Sequence, residues 1–246
     1  MKITIITSTF NSANTVKDTL LSVSCQTHSD IEHIIIDGLS GDNTMDIVNS
    51  FSHVSKVISE KDKGIYDAMN KGISLATGDI IGILNSDDFY KDHKVLEEIH
   101  DLFEKTSADC VYADLDYVDQ YDTTKVVRKW RSRNFSYVSF RNGWMPPHPT
   151  FFVRKEVYQE FGCFNLAMGT AADYELMLRF LEKHHCKVAY LPKTIINMRI
   201  GGASNHSIRA RLMANKMDRK AWSENGLKPG LFTFLMKPLR KVFQYF

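Results

Sequence analysis

Several features of common protein classes are scarce or missing in this sequence, and each absence excludes something. The 246 residues include four cysteines, none of which forms a Cys-x-x-Cys pair: Cys25, Cys110, Cys163 and Cys186. This spacing excludes a zinc ribbon and a thioredoxin-type redox motif. Free thiols are typical of a reducing compartment, so we predict a cytoplasmic protein.

Long apolar runs and a strong charge of one sign are also missing. No apolar stretch approaches the roughly 20 residues that a membrane-spanning helix needs, and the first residues do not have the pattern of a signal peptide. The net charge of +2 is too small to indicate a nucleic acid partner. With 43% hydrophobic and 24% charged residues, the chain is expected to form one large domain or two small lobes.

Motifs of several enzyme classes are absent as well. There is no Gly-x-Ser-x-Gly hydrolase motif and no Walker phosphate loop, and the nine histidines show no His-x-x-x-His spacing. We find no internal repeat and no low-complexity linker. The chemistry must therefore come from residues brought together by the fold.

The first hundred residues alternate between short β-branched runs and segments with helical spacing. The runs cover residues 2–7, 33–36, 56–59 and 80–84. One intervening helix carries Val16, Leu20 and Val23, and Thr15 and Asp18 are spaced like a capping box before it. This alternation predicts an α/β fold with a mainly parallel sheet. The second half is less regular, with strands predicted at 109–113, 125–130 and 151–153.

Polar residues follow the predicted strands at the point where each strand ends. Ser8 follows the first run, Asp37 the second, and Asp87 and Asp88 the fourth. Because ligands of parallel sheets bind beyond the carboxyl ends of the strands, we expect these side chains to meet at one edge. Adjacent carboxylates repel one another unless a positive charge is near, and a divalent cation that holds a diphosphate fits. The alternative is a helix cap or a solvated turn.

Other candidate residues each have a structural alternative. Asp37 can accept hydrogen bonds from a base or ribose, or can belong to the turn at Gly38. Asp173 stands at the start of an amphipathic helix, where it can be a general base or the N-cap of the helix. His148 lies in a Pro-rich loop, 142–149, as an acceptor or phosphate contact or as a structural residue. Glu175 is expected at the surface, and Asp114, Asp116 and Asp119 are expected to be solvated.

Taken together, five segments resemble the inverting family 2 glycosyltransferases, which have the GT-A (Rossmann-like) fold. The segments are 7–11, 36–44, 67–72, 85–88 and 172–173. The resemblance covers about residues 2–199 and implies a single domain with a nucleotide-sugar half, about 1–105, and an acceptor half, 106–226.

The resemblance also implies roles for individual residues. It places the nucleotide-sugar donor against Ser8, Thr9, Asp37, Asp67 and Asn70. It implies that Asp87 contacts the ribose or the metal, that Asp88 binds Mn²⁺ or Mg²⁺, and that Asp173 is the catalytic base.

Two residues depart from the family pattern. Asn85 stands where the family has the first Asp of a D-x-D-D string, so metal binding should depend on Asp88. Ala172 stands where Glu or Thr often precedes the base, so a group that supports Asp173 is expected to be missing.

Within the family, the sequence is most similar to enzymes of O-antigen, capsule and exopolysaccharide assembly, which act on lipid-diphosphate-linked glycans. The C-terminal segment 227–246, here called the tail, combines aromatic and basic residues and is interrupted by Pro238. Such a composition favours peripheral binding to an anionic membrane, expected at the cytoplasmic face of the inner membrane. The alternative is a helix that packs on the protein's own core.

Two other function classes were considered. A sugar nucleotidyltransferase would need a Gly-rich loop after the first strand, but residues 8–15 contain no glycine. A non-catalytic nucleotide-sugar-binding protein would not need Asp173 together with the Asp87–Asp88 pair. The sequence predicts neither the sugar, nor the acceptor, nor the oligomeric state.

Overall fold

The computed structural model describes residues 1–201 and 208–242, and gives the backbone alone for 208–214 and 241–242. Nine strands in the described residues form one mixed sheet with the order β3-β2-β1-β4-β8-β6-β9-β5, and β7 pairs with β6. The strands are β1 Ile3–Thr9, β2 Ile31–Asp37, β3 Val54–Ser59, β4 Ile80–Ile83, β5 Phe89–Tyr90, β6 Cys110–Val118, β7 Val126–Trp130, β8 Phe152–Arg154 and β9 Val188–Arg199.

Helices pack against this sheet and connect its strands. They are α1 Val16–Ser24, α2 Thr44–Asn49, α3 Ile65–Leu75, α4 Val95–Thr106, α5 Lys155–Phe161, α6 Ala172–Leu178, α7 Ile208–Glu224 and α8 Thr233–Val242. Short 3₁₀ segments cover His148–Thr150 and Leu166–Ala171, and a π-helical turn, Arg179–Lys183, extends α6. No helix in the described ranges is long and apolar enough to cross a bilayer.

The first half of the chain forms the parallel part of the sheet, as predicted. Every residue of β1 is buried, because helices cover both faces of the sheet there. In the parallel register, Thr9 lies opposite Asp37 and Ile6 opposite Ile83. The carboxyl ends of β1, β2 and β4 therefore meet at one edge, which places the residues after each strand side by side.

The second half adds both parallel and antiparallel pairs. β6 and β9 run parallel along most of their length, whereas β8 pairs antiparallel with β4 and β6. The sequence pattern predicted neither β9 nor β5. In β9 the alternation is broken around Pro192 and Lys193, where the register to β6 shifts near Asp114.

The predicted capping box of α1 is wrong. The Thr15 hydroxyl lies 3.4 Å from the Ser12 carbonyl oxygen and makes no hydrogen bond to a main-chain N–H of the helix. The Asp18 side chain pairs instead with Arg199, at the end of β9. A tertiary contact therefore takes the carboxylate that the local pattern assigned to the helix start.

The described part of the tail packs on the protein through one side of α8. Thr233 and Phe234 are buried, and the Lys237 ammonium lies 2.7 Å from Asp218. Pro238 lies inside this helix and does not interrupt it, contrary to the prediction. Lys237 before it donates to Asp218, and Arg240 after it donates to the Asn142 carbonyl oxygen. Four large apolar side chains nevertheless remain exposed: Leu231, Phe232, Leu235 and Leu239.

Candidate active site

Asp37 is the last residue of β2 and is fully buried. It lies at the edge where the carboxyl ends of β1, β2 and β4 meet, here called the ligand edge. Its carboxylate accepts hydrogen bonds from the Ser40 main-chain N–H at 3.1 Å, from the Ser40 hydroxyl at 2.5 Å and from the Ser59 hydroxyl at 2.6 Å. All three donors are uncharged groups. Asp37 therefore orders the loop after β2, and its contact with a nucleobase stays a prediction.

Four buried side-chain oxygens at this edge have no protein hydrogen-bond partner within the described residues. They belong to Ser8, Thr9, Asn85 and Asp88. Because buried polar atoms are nearly always paired, a cluster of orphan oxygens marks a place where a polar or cationic ligand would bind. Ser8 and Thr9 are the last residues of β1, and Asn85 and Asp88 follow β4, which pairs with β1 in parallel.

Asp88 is fully buried, and its surroundings fit a cation. One carboxylate oxygen accepts a hydrogen bond from the Asn85 amide at 3.2 Å, and the other is an orphan. Burial, followed by the neighbouring charge of Asp87, raises the pKa of Asp88 well above its ordinary value. A divalent cation would offset both effects. The described residues contain no cluster of three or more His, Cys, Asp or Glu, so Mn²⁺ or Mg²⁺ would take most of its ligands from diphosphate and water.

Arg199 holds the loop that carries the two carboxylates, and the sequence reasoning missed it. Its guanidinium donates to the Asp87 carbonyl oxygen at 2.7 Å and also pairs with Asp18. The guanidinium is buried and lies 5.0 Å from the centre of the Phe89 ring. The available signal in the sequence was the position of Arg199 shortly after three β-branched residues, 194–196, which indicates the end of a strand.

Asp67 and Asn70 lie on α3 and use their side chains for protein contacts. Asp67 accepts from the Lys63 main-chain N–H at 2.9 Å. The Asn70 amide donates to the Phe164 carbonyl oxygen and accepts from the Phe164 N–H, both at 2.9 Å. Asn70 thus ties α3 to the segment that leads to α6, and donor binding by either residue stays a prediction.

Asp173 is the second residue of α6 and is not its N-cap, which is Ala171. Its side chain is 17% exposed, and its Oδ2 atom lies 3.2 Å from Nδ1 of His148. The Tyr66 hydroxyl also interacts with Asp173: burial, and after it the charge of Asp173, raises the pKa of Tyr66. The structure thus joins two of the predicted site residues, Asp173 and His148, and adds a third.

Comparison with known proteins decides the family. The family model for glycosyl transferase family 2 matches residues 4–162. This chain belongs to glycosyl transferase family 2. The assignment favours glycosyl transfer over the nucleotidyltransferase and binding-protein alternatives, and it makes the chain a glycosyltransferase.

Individual relatives agree with the family assignment. An uncharacterised glycosyltransferase of Nostoc sp., alr2836, is 29% identical over 240 residues, which cover 93% of this chain and 73% of the relative. The mannosyltransferase PcManGT of Pyrobaculum calidifontis, in complex with GDP-Man and Mn²⁺, has a TM-score of 0.68 at 14% identity, over 99% of this chain and 69% of that one. S. aureus TarS 1–349, in complex with UDP-GlcNAc, has a TM-score of 0.66 at 15% identity, over 88% of this chain and 65% of that one.

The likeness to these solved structures confirms the GT-A fold that the sequence predicted for the family 2 glycosyltransferase. The two departures from the family pattern can now be understood. The Asn85 amide donates to Asp88, which an aspartate could not do, and it avoids a third negative charge beside the pair. Ala172 is fully buried, and Asp173 is contacted instead by His148 and Tyr66 from distant segments.

Two expectations about carboxylates in this glycosyltransferase are wrong. Glu175 is buried, not at the surface, because it pairs with Arg179 at 2.9 Å and accepts from the Asn225 amide at 3.0 Å. Asp114 and Asp116 are buried rather than solvated.

Each of the two β6 aspartates has its own partners. Asp116 lies 2.9 Å from Lys91 and 2.7 Å from Arg131. Although burial acts in the opposite direction, these two cations hold the pKa of Asp116 below its usual range. Asp114 accepts hydrogen bonds from the Ser132 main-chain N–H at 2.7 Å and the Tyr190 hydroxyl at 2.8 Å.

Proposed function

We propose that this family 2 glycosyltransferase is an inverting enzyme that transfers a hexose from a UDP-sugar to a hydroxyl group of a glycan acceptor. The observation that carries the proposal is the Asp173 carboxylate. Residues 171–178 are otherwise buried, and Asp173 is the partly exposed position among them. A carboxylate that is held by the protein yet open to a ligand is suited to act as a general base.

The donor would lie across the ligand edge of the sheet, with Asp37 at the nucleobase and Asp87 near the ribose. The orphan hydroxyls of Ser8 and Thr9 offer further hydrogen bonds. Asp88, with Asp87, would hold Mn²⁺ or Mg²⁺, which supplies Lewis-acid stabilisation of the charge on the departing diphosphate. The complexes of TarS with UDP-GlcNAc and of PcManGT with GDP-Man, two proteins of this fold, support a nucleotide-sugar donor.

In the proposed reaction, the acceptor oxygen attacks the anomeric carbon from the face opposite to UDP. The acceptor O–H proton moves to Asp173 while the bond between the anomeric carbon and the diphosphate oxygen breaks. The displacement is direct, so an α-linked donor gives a β-linked product. No nucleophile from the protein is required.

The tail supports an acceptor that is carried on a membrane lipid. In the sequence, the exposed apolar residues of the tail alternate with Lys228, Lys237, Arg240 and Lys241, and no acidic residue follows Glu224. The Lys237 ammonium lies 3.7 Å from the centre of the Tyr174 ring, next to Asp173 in the chain. The helix α8 therefore packs against α6, the helix that carries the proposed base. Lipid-diphosphate-linked glycans of O-antigen or capsule assembly have the matching chemistry.

The decisive experiment replaces Asp173 with asparagine, which keeps the size of the side chain but cannot take the proton. We expect turnover, followed by product mass and UDP release with acceptor present, to fall about 10²–10⁴-fold. Calorimetry should give an unchanged affinity for UDP. Turnover within a few-fold of wild type would show that the base lies elsewhere.

A further inference from the structure

His148 lies in a segment whose backbone is fixed by its neighbours. Residues 143–147, 149 and 150 are buried, whereas His148 is partly exposed. The Thr150 hydroxyl donates to the Ala113 carbonyl oxygen at 2.9 Å and accepts from the Ala113 N–H at 3.1 Å. These two bonds attach the 3₁₀ turn His148–Thr150 to β6. The imidazole therefore extends from a rigid support toward α6.

The contact between His148 and Asp173 has a defined direction. Nδ1 of His148 lies 3.2 Å from Oδ2 of Asp173, which is within ion-pair distance. Because an ionised carboxylate can only accept hydrogen bonds, a hydrogen bond between these two atoms would have Nδ1–H as its donor. This holds for a neutral imidazole with the proton on Nδ1 and for an imidazolium. The contact leaves Oδ1 of Asp173 without a bond to His148.

The carboxylate is also contacted from a second direction. Tyr66 extends from α3, and its ring packs at 5.3 Å from the ring of Phe164, whose backbone is tied to Asn70. The Tyr66 hydroxyl interacts with Asp173 through both its carboxylate and its main chain. Two residues from separate parts of the chain thus approach one carboxylate.

We propose that His148 is a positioning residue for the base: its Nδ1–H holds Oδ2 of Asp173 so that Oδ1 faces the acceptor hydroxyl. This inference rests on the proposed role of Asp173 and replaces the expectation that His148 contacts acceptor or phosphate directly. A base must lie within hydrogen-bonding reach of the proton it takes, and a misplacement of about 1 Å can lower a rate about 10²-fold.

Three substitutions separate positioning from a general structural effect. In His148→Asn, the side-chain NH₂ group lies near the place of Nδ1, so the hydrogen bond to Asp173 can form. In His148→Gln, the amide lies near the place of Nε2, and in His148→Ala there is no donor. All three are compared in the full chain after the thermal midpoint has been measured.

We expect His148→Ala and His148→Gln to lower kcat about 10²-fold, and His148→Asn to recover most of that loss. The KM for the donor and the affinity for UDP should stay at wild-type values. In the Asp173→Asn background, His148→Ala should cause no further loss, because His148 acts through the carboxylate.

Three results would overturn the positioning role. They are a kcat of His148→Ala within about threefold of wild type, an equal rescue by Gln and Asn, and a raised KM for the acceptor with unchanged kcat. Asp173→Asn assayed in parallel tells the two proposals apart. If Asp173→Asn loses turnover while His148→Ala does not, the base stands and the positioning role fails. If Asp173→Asn keeps its turnover, both fail.

Discussion

The two halves of this glycosyltransferase, residues 1–105 and 106–226, whose nucleotide and acceptor roles stay predictions, differ in how most of their buried acids are held. In the acceptor half, four of the five buried carboxylates among the described residues pair with cations: Asp116 with Lys91 and Arg131, Glu175 with Arg179, Glu182 with Arg141, and Asp218 with Lys237. The fifth, Asp114, accepts hydrogen bonds from neutral donors.

In the nucleotide half, Asp37 is held by hydroxyls and a main-chain N–H. Asp88 accepts from the Asn85 amide and feels the charge of Arg199, but forms no ion pair among the described residues. Glu32 accepts from Thr4 and Thr77 and has Lys2 3.7 Å away.

Under the proposed function, this difference separates carboxylates that stabilise the fold from Asp88, which would bind a cation. A paired acid is already neutralised by the protein, so its removal should cost stability. A buried acid without a cation is unfavourable in the free protein and becomes favourable when a cation binds. Asp173, with its histidine partner and its partial exposure, differs from the paired acids of its own half.

The largest effect is expected at Asp88. Asp88→Ala should lower transfer about 10³-fold at any Mn²⁺ or Mg²⁺ concentration, because it removes the carboxylate that would hold the cation. Product formation and thermal melting are measured together, and the melting midpoint should not fall. EDTA should abolish wild-type transfer until Mn²⁺ or Mg²⁺ is added. Full activity in EDTA would contradict the metal assignment. The control for the substitution is Asp101→Ala, at an exposed aspartate.

Glu175 should show the opposite behaviour. Glu175→Ala removes the partner of Arg179 and the acceptor for Asn225, and the loss of one member of a buried pair costs about 3–5 kcal/mol. We expect a clear fall in the free energy of unfolding, measured with urea, and near-normal turnover at low temperature. An unchanged unfolding curve would show that the pairing does not stabilise the acceptor half.

The nucleotide half should also make stability depend on pH. His33 is fully buried between Thr7 and His53, and burial lowers its pKa from 6.5 to about 3. An unfolded histidine takes up its proton near pH 6.5, so the unfolded state binds more protons between these values. The contribution of His33 is complete above about pH 6.5 and is lost as the pH falls towards 3.

Urea unfolding between pH 7 and 5 measures this contribution. Well below pH 6.5 we expect a slope approaching about 1.4 kcal/mol per pH unit for His33. His33→Gln should flatten the profile, while the exposed His93→Gln should not. Equal slopes in all three proteins would assign the pH dependence to other groups.

The smallest effect is expected in the tail. Leu235→Glu places a charge on the exposed side of α8 without touching Phe234 or Lys237, and it should weaken binding to vesicles that contain anionic lipid. Basic residues near such a surface contribute about 1 kcal/mol each, so high salt should weaken binding as well. Leu235→Gln, tested with neutral vesicles as well, is the control. Identical cosedimentation of all proteins would show that the exposed face of α8 does not bind the membrane.

Much of the nucleotide half could be predicted from the sequence, because its signals are local. Buried parallel strands appear as β-branched runs, and the ligand edge follows from where those runs end. The acceptor half could not be predicted in the same way. Glu175 and Asp116 look solvated until Asn225, Lys91 and Arg131 are placed beside them, and those contacts join residues far apart in the chain.

The site shows the same division. Asp88 and Asp173 were candidates from short motifs, and their roles stay predictions. Arg199 and Tyr66 were not candidates, because no local pattern connects Arg199 to the Asp87 carbonyl oxygen or Tyr66 to Asp173. His148 was identified as a candidate, while its contact with Asp173 depends on how β6 and α6 pack. A side chain that acts through another residue belongs to no sequence motif, so the sequence alone does not indicate its role.

Three of the six prolines of the chain flank His148 within four residues: Pro146, Pro147 and Pro149. A proline ring fixes the backbone angle φ, so this stretch has few conformations to lose when the chain folds. Part of the entropy cost of orienting the imidazole is therefore avoided in the unfolded chain, before any substrate binds. Replacing these prolines would change none of the side chains that we assign to the site. It would give the unfolded chain more conformations, so that ordering the segment around His148 would cost more entropy.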